Sequence, residues 1–287
     1  MKTPVVLVHS GTEFPLYLND CITLLQHNSI NVHLLLSAAL HDHVKDNTII
    51  LEKLEDFEDE NYKNYEILNF PLDFKDRFFE RTSSRFFILA NYAKQKGLTS
   101  FFHLENDIAL FSDLTAERLV VENSGKEMWL VIDSEERCVP SIIWFKDHVI
   151  LESLAEFIFN SNTFTDMENL YKFFNVKKWA LGNFPLLPPD NPHTTFQIDY
   201  ANYFSEFNSI FDGAALGQYL FGTDERENLG ESLPGFINET TVFSPSDYKY
   251  KWEKKVPYLI TPLNEKIKIN NLHMHCKNLS QLTNFDE

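Results

Sequence analysis

The sequence predicts an α/β fold: one domain over residues 1–287, with a mostly parallel central sheet flanked by helices and a C-terminal extension. Three observations predict it. Residues 5–8 (VVLV) form an unbroken β-branched, apolar run, as parallel strands do when both faces are covered. A small polar turn, a helical repeat and a second apolar run at 32–36 follow, the order of a βαβ unit. Residues 101–104 (FFHL) then run apolar into Glu105-Asn106-Asp107, which delivers carboxylates to the C-terminal edge of a buried strand, where open sheets bind ligands.

The remaining elements follow in order. His9-Ser10-Gly11-Thr12 closes the first strand and is a candidate nucleotide contact by its position at the strand edge. Pro15 suits the start of a helix on which Leu16, Cys21, Leu24 and Leu25 recur at helical spacing. Short strands are expected at 49–51 and 67–70, either side of the acidic run 52–66 (EKLEDFEDENYKNYE), which reads as a solvated face or mobile loop. A long helix is expected from about Asp76 to Lys96, with Phe79, Ser83, Phe86, Leu89 or Ala90, and Ala93 on one stripe and Gly97 as its C-cap. Further strands are expected at 128–132 and 141–145, and a helix at 149–159. Residues 179–196 carry four prolines and read as a loop of the kind that covers active sites. A short helix over 211–220 and strands at 258–263 and 267–269 lead to His273-Met274-His275.

Composition limits the function classes. The chain is 44% hydrophobic and has 26 Phe, enough for a large core. Its formal charge of −17 argues against binding nucleic acid or an anionic membrane surface, while a bound cation can still supply the local field that a phosphate ligand needs. Three scattered cysteines, Cys21, Cys138 and Cys276, suggest neither a disulfide framework nor a zinc–thiolate site, and with no signal peptide or membrane span in view the expectation is a soluble cytoplasmic protein.

The acid-x-acid triplet is the strongest chemical feature. In extended chain Glu105 and Asp107 point the same way, and converging carboxylates repel unless a cation lies between them. His273-x-His275 offers a second pair of ligands on one side of an extended segment, with either imidazole as the ligand. Asp212 opens the small-residue segment 213–217; it reads equally as a helix cap and as a carboxylate orienting or deprotonating an acceptor hydroxyl. Arg85 reads equally as a surface arginine and as a contact to a diphosphate or to Asp107. His103 reads as a core histidine, and Trp179, at the head of the proline-rich loop, as a possible sugar-stacking platform.

On these residues the chain resembles a glycosyltransferase of the GT-A fold, with one Rossmann-like, nucleotide-binding sheet. Residues 5–12 resemble that family's first strand and turn. Ser83-Ser84-Arg85-Phe86 resembles the helix before its metal motif, Glu105-Asn106-Asp107 its DxD motif in ExD form, and His273 or His275 its C-terminal metal-binding histidine. The resemblance implies a nucleotide part over about residues 1–111 and an acceptor side beyond. It implies transfer of a hexosyl or related sugar from a nucleotide-diphosphate sugar, UDP-linked in preference to GDP-linked, to a glycan or other hydroxyl acceptor. Asp107 would hold Mn²⁺ or Mg²⁺ directly, and Glu105 would reach the ribose or the metal through water. Ser84 and Arg85 would face the nucleotide, and Lys277 would add charge at the diphosphate. Two other functions compete: a metal-dependent phosphoester hydrolase, and a non-catalytic nucleotide-sugar-binding protein.

Overall fold

The computed structural model describes residues 2–66, 77–190, 198–223, 233–237 and 240–284. Its strands are β1 (Pro4–His9), β2 (Asn31–Leu36), β3 (Ile50–Lys53), β4 (Phe101–Leu104), β5 (Ile108–Leu110), β6 (Met128–Ile132), β7 (Cys138–Phe145), β8 (Leu181–Asn183), β9 (Ser209–Ile210), β10 (Lys249–Glu253), β11 (Val256–Ile260), β12 (Lys266–Ile269) and β13 (Asn271–His273). Its helices are α1 (Tyr17–His27), α2 (Glu60–Glu66), α3 (Phe78–Lys96), α4 (Thr115–Asn123), α5 (His148–Phe159), α6 (Asp166–Val176), α7 (Phe204–Phe207) and α8 (Ala215–Phe221).

The fold is a Rossmann-like α/β sheet of seven strands in the order β3-β2-β1-β4-β7-β6-β8. All neighbours pair in parallel except around β7, which runs antiparallel to both β4 and β6. The C-terminal ends of β1, β4 and β6 therefore share one edge. The apolar runs read from the sequence are the buried centre of this sheet: Val5, Val6 and Leu7, then Phe101, Phe102 and Leu104, are fully buried. Helix α3 packs on α5, and its C-terminus closes where expected: Gly97 adopts φ 62° and its N–H, with that of Leu98, takes up the carbonyls of Ala93 and Lys94.

Two smaller sheets carry the C-terminal third, one of order β10-β11-β12-β9 and one of β13 with β5. The β5–β13 pair matters most. Strand β13 runs antiparallel to β5, with His273 opposite Ile108, and Met274 N–H donates to Asp107 O at 2.9 Å. Residues 270–274 are thereby laid along residues 107–111, the segment that begins at the acidic triplet.

Several expectations are corrected. The acidic run is neither a loop nor wholly solvated: it forms β3, a 3₁₀ turn over Leu54–Phe57 and α2, because Leu54, Phe57, Tyr62 and Tyr65 recur every three to five residues and are buried. The proline-rich segment is no lid over its described part: Phe184, Leu186 and Leu187 are buried, and Pro185 O accepts Phe211 N–H at 2.8 Å. Helices α4 and α6 were not expected. Helix α4 buries little of its apolar surface, leaving Leu119 56% exposed, so no stripe marks it. Helix α6 did carry a start signal, Thr165 with Glu168 three residues on, and Thr165 Oγ1 accepts Glu168 N–H at 3.2 Å. The strand expected at 67–70, the helix start at Asp76 and residues 191–196 of the proline-rich loop lie outside the described residues. No helix among the described residues is long and apolar enough to cross a membrane.

Candidate metal and nucleotide site

Strand β4 ends at Leu104, and Glu105 O accepts Ile108 N–H at 3.4 Å, so the triplet occupies a tight turn between β4 and β5 rather than extended chain. The two carboxylates converge all the same, because the tail brings an imidazole to both. His273 Nε2 lies 3.5 Å from Glu105 Oε2 and 3.2 Å from Asp107 Oδ2. Ligand atoms of Glu105, Asp107 and His273 all fall within 4.8 Å of one another. Turn and imidazole sit at the shared sheet edge. Asn106 Nδ2–H donates to Val8 O at 3.0 Å, which ties the triplet to the end of β1, from which Ser10, Gly11 and Thr12 continue.

The imidazole is aimed by its surroundings. His273 Nδ1 is 2.8 Å from Gly213 O, so Nδ1 carries the proton in that bond and Nε2 faces the acids. Its backbone N–H donates to Asp212 Oδ2 at 3.0 Å. Gly217 packs against the same residue so closely that a Cβ there would lie 1.8 Å from His273 O. Of the small residues read as permitting close approach, Gly217 does so toward β13 and Gly213 toward Val131 on β6 and Val139 on β7.

Charge at the cluster is tightly paired. Burial would raise Asp107, but the Lys277 ammonium, which contacts its Oδ2, and His273 hold it well below the usual carboxylate range. Against its own burial, His273 is raised to about 9 by Asp107 and Glu105. Arg85, buried on α3, spans Glu105 at 2.9 Å and Asp166 at 2.5 Å. Burial raises the Asp166 carboxyl while Arg85 opposes it.

The structure thus brings together Glu105, Asp107, His273, Lys277 and Arg85, with Asn106 tied to the end of β1. It places other candidates elsewhere. His275 does not join the cluster: its ring packs on His273 at 4.4 Å between centroids, and its Nδ1 accepts from Gln218 at 3.2 Å. Asp212 is the cap. It is fully buried, and its two oxygens accept the N–H groups of Leu216, Gly217 and His273 at 2.9–3.0 Å, which leaves no face for an acceptor hydroxyl. Ser84 is buried and bonds back to Arg81 O at 3.4 Å within α3, so it presents nothing to a nucleotide. His9 is held at both nitrogens, Nε2–H donating to Glu13 O at 2.8 Å and Nδ1 facing Asn106 at 3.4 Å. Arg85 meets Glu105, not Asp107. Trp179 is 72% exposed but precedes β8, which runs parallel to β6, so it stands at the opposite edge of the sheet. His103 is the core histidine expected, donating from Nδ1 to Val6 O at 2.8 Å.

Sequence reasoning missed Asp166, which looks like any first-turn acid of a helix, and Tyr17, whose ring lies 5.7 Å from the Lys277 ammonium. Only the Thr165 cap signal marks Asp166 as the start of a helix, and nothing local marks it as the partner of Arg85.

No family model matches the chain, and no curated protein matches it. Solved structures with a similar chain path include glycosyltransferases. Mouse xyloside xylosyltransferase 1 in apo form is similar at a TM-score of 0.42 with 9% identity, over 63% of this chain and 83% of that one. The galactosyltransferase LgtC, in complex with donor and acceptor sugar analogues, is similar at 0.42 with 12% identity, over 63% and 73%. A cytidylyltransferase from Leptospira borgpetersenii is similar at 0.40 with 13% identity, over 66% and 77%. At these identities and scores the likeness carries no argument about activity.

Proposed function

We propose that this chain is a metal-dependent glycosyltransferase that moves a sugar from a nucleotide-diphosphate sugar, UDP-linked in preference to GDP-linked, to a glycan or other hydroxyl acceptor. One observation carries the reading: the carboxylates of Glu105 and Asp107 and the aimed imidazole of His273, far apart in sequence, meet at the C-terminal sheet edge, beside the end of β1.

The donor set fits a divalent cation, Mn²⁺ or Mg²⁺. It is oxygen-rich with one neutral-capable nitrogen, its atoms are spaced for one ion, and the charges now opposite Asp107 are cations of the chain itself. Asp107 and His273 would hold the ion, and Glu105 would reach it through water or meet the ribose. When bound, such an ion neutralises the charge that grows on a departing nucleoside diphosphate. The chain's own residues do the rest. Ser10, Gly11 and Thr12 receive the nucleotide, Arg85 fixes the Glu105 rotamer, and Lys277 adds a second positive charge for the diphosphate. The nucleotide part spans about residues 1–111. Three free cysteines suit the reducing cytoplasm proposed for it. A two-cation phosphoester hydrolase is less well served, since one compact ligand cluster is found among the described residues.

Thermal shift with UDP, GDP or CDP, each with and without Mn²⁺, tests the reading. Stabilisation by the pair should exceed the sum of the separate effects, and a screen of nucleotide sugars should show slow Mn²⁺-dependent donor hydrolysis. Asp107→Asn should abolish the joint stabilisation with the fold intact. Unchanged nucleotide affinity in that variant refutes the proposal.

A further inference from the structure

Lys277 stands where a cation would. Its ammonium contacts Asp107 Oδ2, the same oxygen that faces His273 Nε2 at 3.2 Å. The position is built into the backbone. Lys277 adopts φ 59° and its N–H donates to Met274 O at 2.8 Å, which closes a tight turn immediately after β13. The Tyr17 ring flanks the ammonium, and the lysine is the more exposed partner, at 26% against 7% for Asp107.

A divalent ion on Asp107 Oδ2 would repel the Lys277 ammonium more strongly than the singly charged His273 imidazolium that shares that oxygen does. A divalent ion arriving alone would therefore push the ammonium off Asp107 toward solvent, at the loss of that ion pair. A diphosphate changes this, because its oxygens accept a charge-assisted hydrogen bond from the displaced ammonium. We propose that Lys277 is an intramolecular competitor for the metal position, and that a nucleoside diphosphate releases the position by drawing the lysine away. The inference rests on the proposed function and adds to it a coupling: ion and diphosphate each tighten the other's binding by one common factor, and Lys277 carries part of that factor.

The test is Mn²⁺ binding followed by the paramagnetic resonance signal of the free ion, without and with saturating UDP. It compares the whole wild-type chain with Lys277→Met and Lys277→Arg. Lys277→Met, which keeps the stem and removes the charge, should bind Mn²⁺ alone at least tenfold more tightly than wild type. The factor by which UDP tightens Mn²⁺ should fall at least tenfold in the same variant. Lys277→Arg keeps the competing charge and should bind Mn²⁺ alone as weakly as wild type. Should Lys277→Met not fold, Lys277→Gln, which retains a hydrogen-bond donor toward Asp107, carries the same expectation. Equal or weaker Mn²⁺ affinity in the neutral variants, with coupling to UDP intact, overturns the competitor role and leaves the proposed function standing. Absence of Mn²⁺ binding in every form, with UDP, GDP or CDP present, overturns both.

Discussion

Gly217→Ala separates two opposed expectations by sign. Gly217 lies inside α8, where alanine is the better helix former by about 1 kcal/mol, so propensity alone predicts a more stable protein. The packing predicts the reverse. An added Cβ would lie 1.8 Å from His273 O and 2.6 Å from His273 C, where ordinary contact begins at 3.4 Å. The obstacle is strand backbone, which has no rotamer to yield, so α8 and β13 must part by about 1.6 Å, an overpacking worth about 1–3 kcal/mol. Parting them stretches the His273 N–H bond to Asp212 and the Nδ1 bond to Gly213, worth about 1 kcal/mol each. The net expectation is a loss of about 2–4 kcal/mol, or roughly 5–15 °C in Tm for a chain of this size. The same shift withdraws Nε2 from the two carboxylates, so the joint stabilisation by Mn²⁺ and UDP should disappear. Gly125→Ala is the control. Nothing lies within 4 Å of its Cβ position, so only the cost of φ +73° applies, and the Mn²⁺–UDP effect should persist. Differential scanning fluorimetry reads both quantities. A Gly217→Ala protein as stable as wild type, with metal–nucleotide synergy intact, refutes the packing argument.

Three further outcomes are expected. Asp212→Ala should lower Tm by several degrees and weaken Mn²⁺ binding, because three buried N–H groups lose their acceptor; a fully stable variant with normal metal binding and lost turnover would restore Asp212 as a base. Arg85→Met leaves the buried Asp166 carboxylate without its cation beside the part-buried Glu105 and should cost about 3–5 kcal/mol, read by urea unfolding; a loss below about 1 kcal/mol contradicts the buried pairing. Burial, aided by Arg85, lowers His103 to about 3 from an unfolded value of 6.5. The unfolded chain then binds the extra proton first, so the contribution is whole above pH 6.5 and erodes by up to about 1.4 kcal/mol per pH unit as pH falls toward 3. His103→Gln should flatten that limb of the stability–pH curve, and an unchanged limb would show that His103 is not buried neutral.

The parts legible in the sequence are those set by local pattern. β1, α1 and β2 follow from a continuous apolar run, a helical repeat and a second run, because both faces of a parallel strand are covered and each helix presents one stripe. Gly97 was legible as a cap because only one conformation ends α3 there. The site was legible as residue types but not as a geometry. Glu105 and Asp107 do converge, through a turn rather than by strand alternation. The choice of His273 over His275 depends on the β5–β13 register, a pairing of two three-residue strands far apart in sequence, with no periodicity long enough to read. Asp212 was undecidable for a similar reason: a cap and a base have the same local sequence, and only the three N–H groups around it tell them apart. Asp166 gave no signal because its partner, Arg85, is 81 positions away.

The charge arrangement explains why ion and nucleotide should arrive together. A chain of −17 does not draw a diphosphate by its overall field. Arg85, His273 and Lys277 are the cations at the triplet, and each is already engaged with Glu105, Asp107 or Asp166. A diphosphate entering alone would have to pull one of them from its carboxylate, taking from Asp107, for example, one of its two positive partners in a buried site. In the proposed function a divalent ion would take over Asp107 as the lysine leaves it. Nucleoside diphosphate without Mn²⁺ or Mg²⁺ should therefore bind weakly, and chelation should release it; tight, chelator-resistant binding of UDP would mean that the phosphates are held by other residues than these.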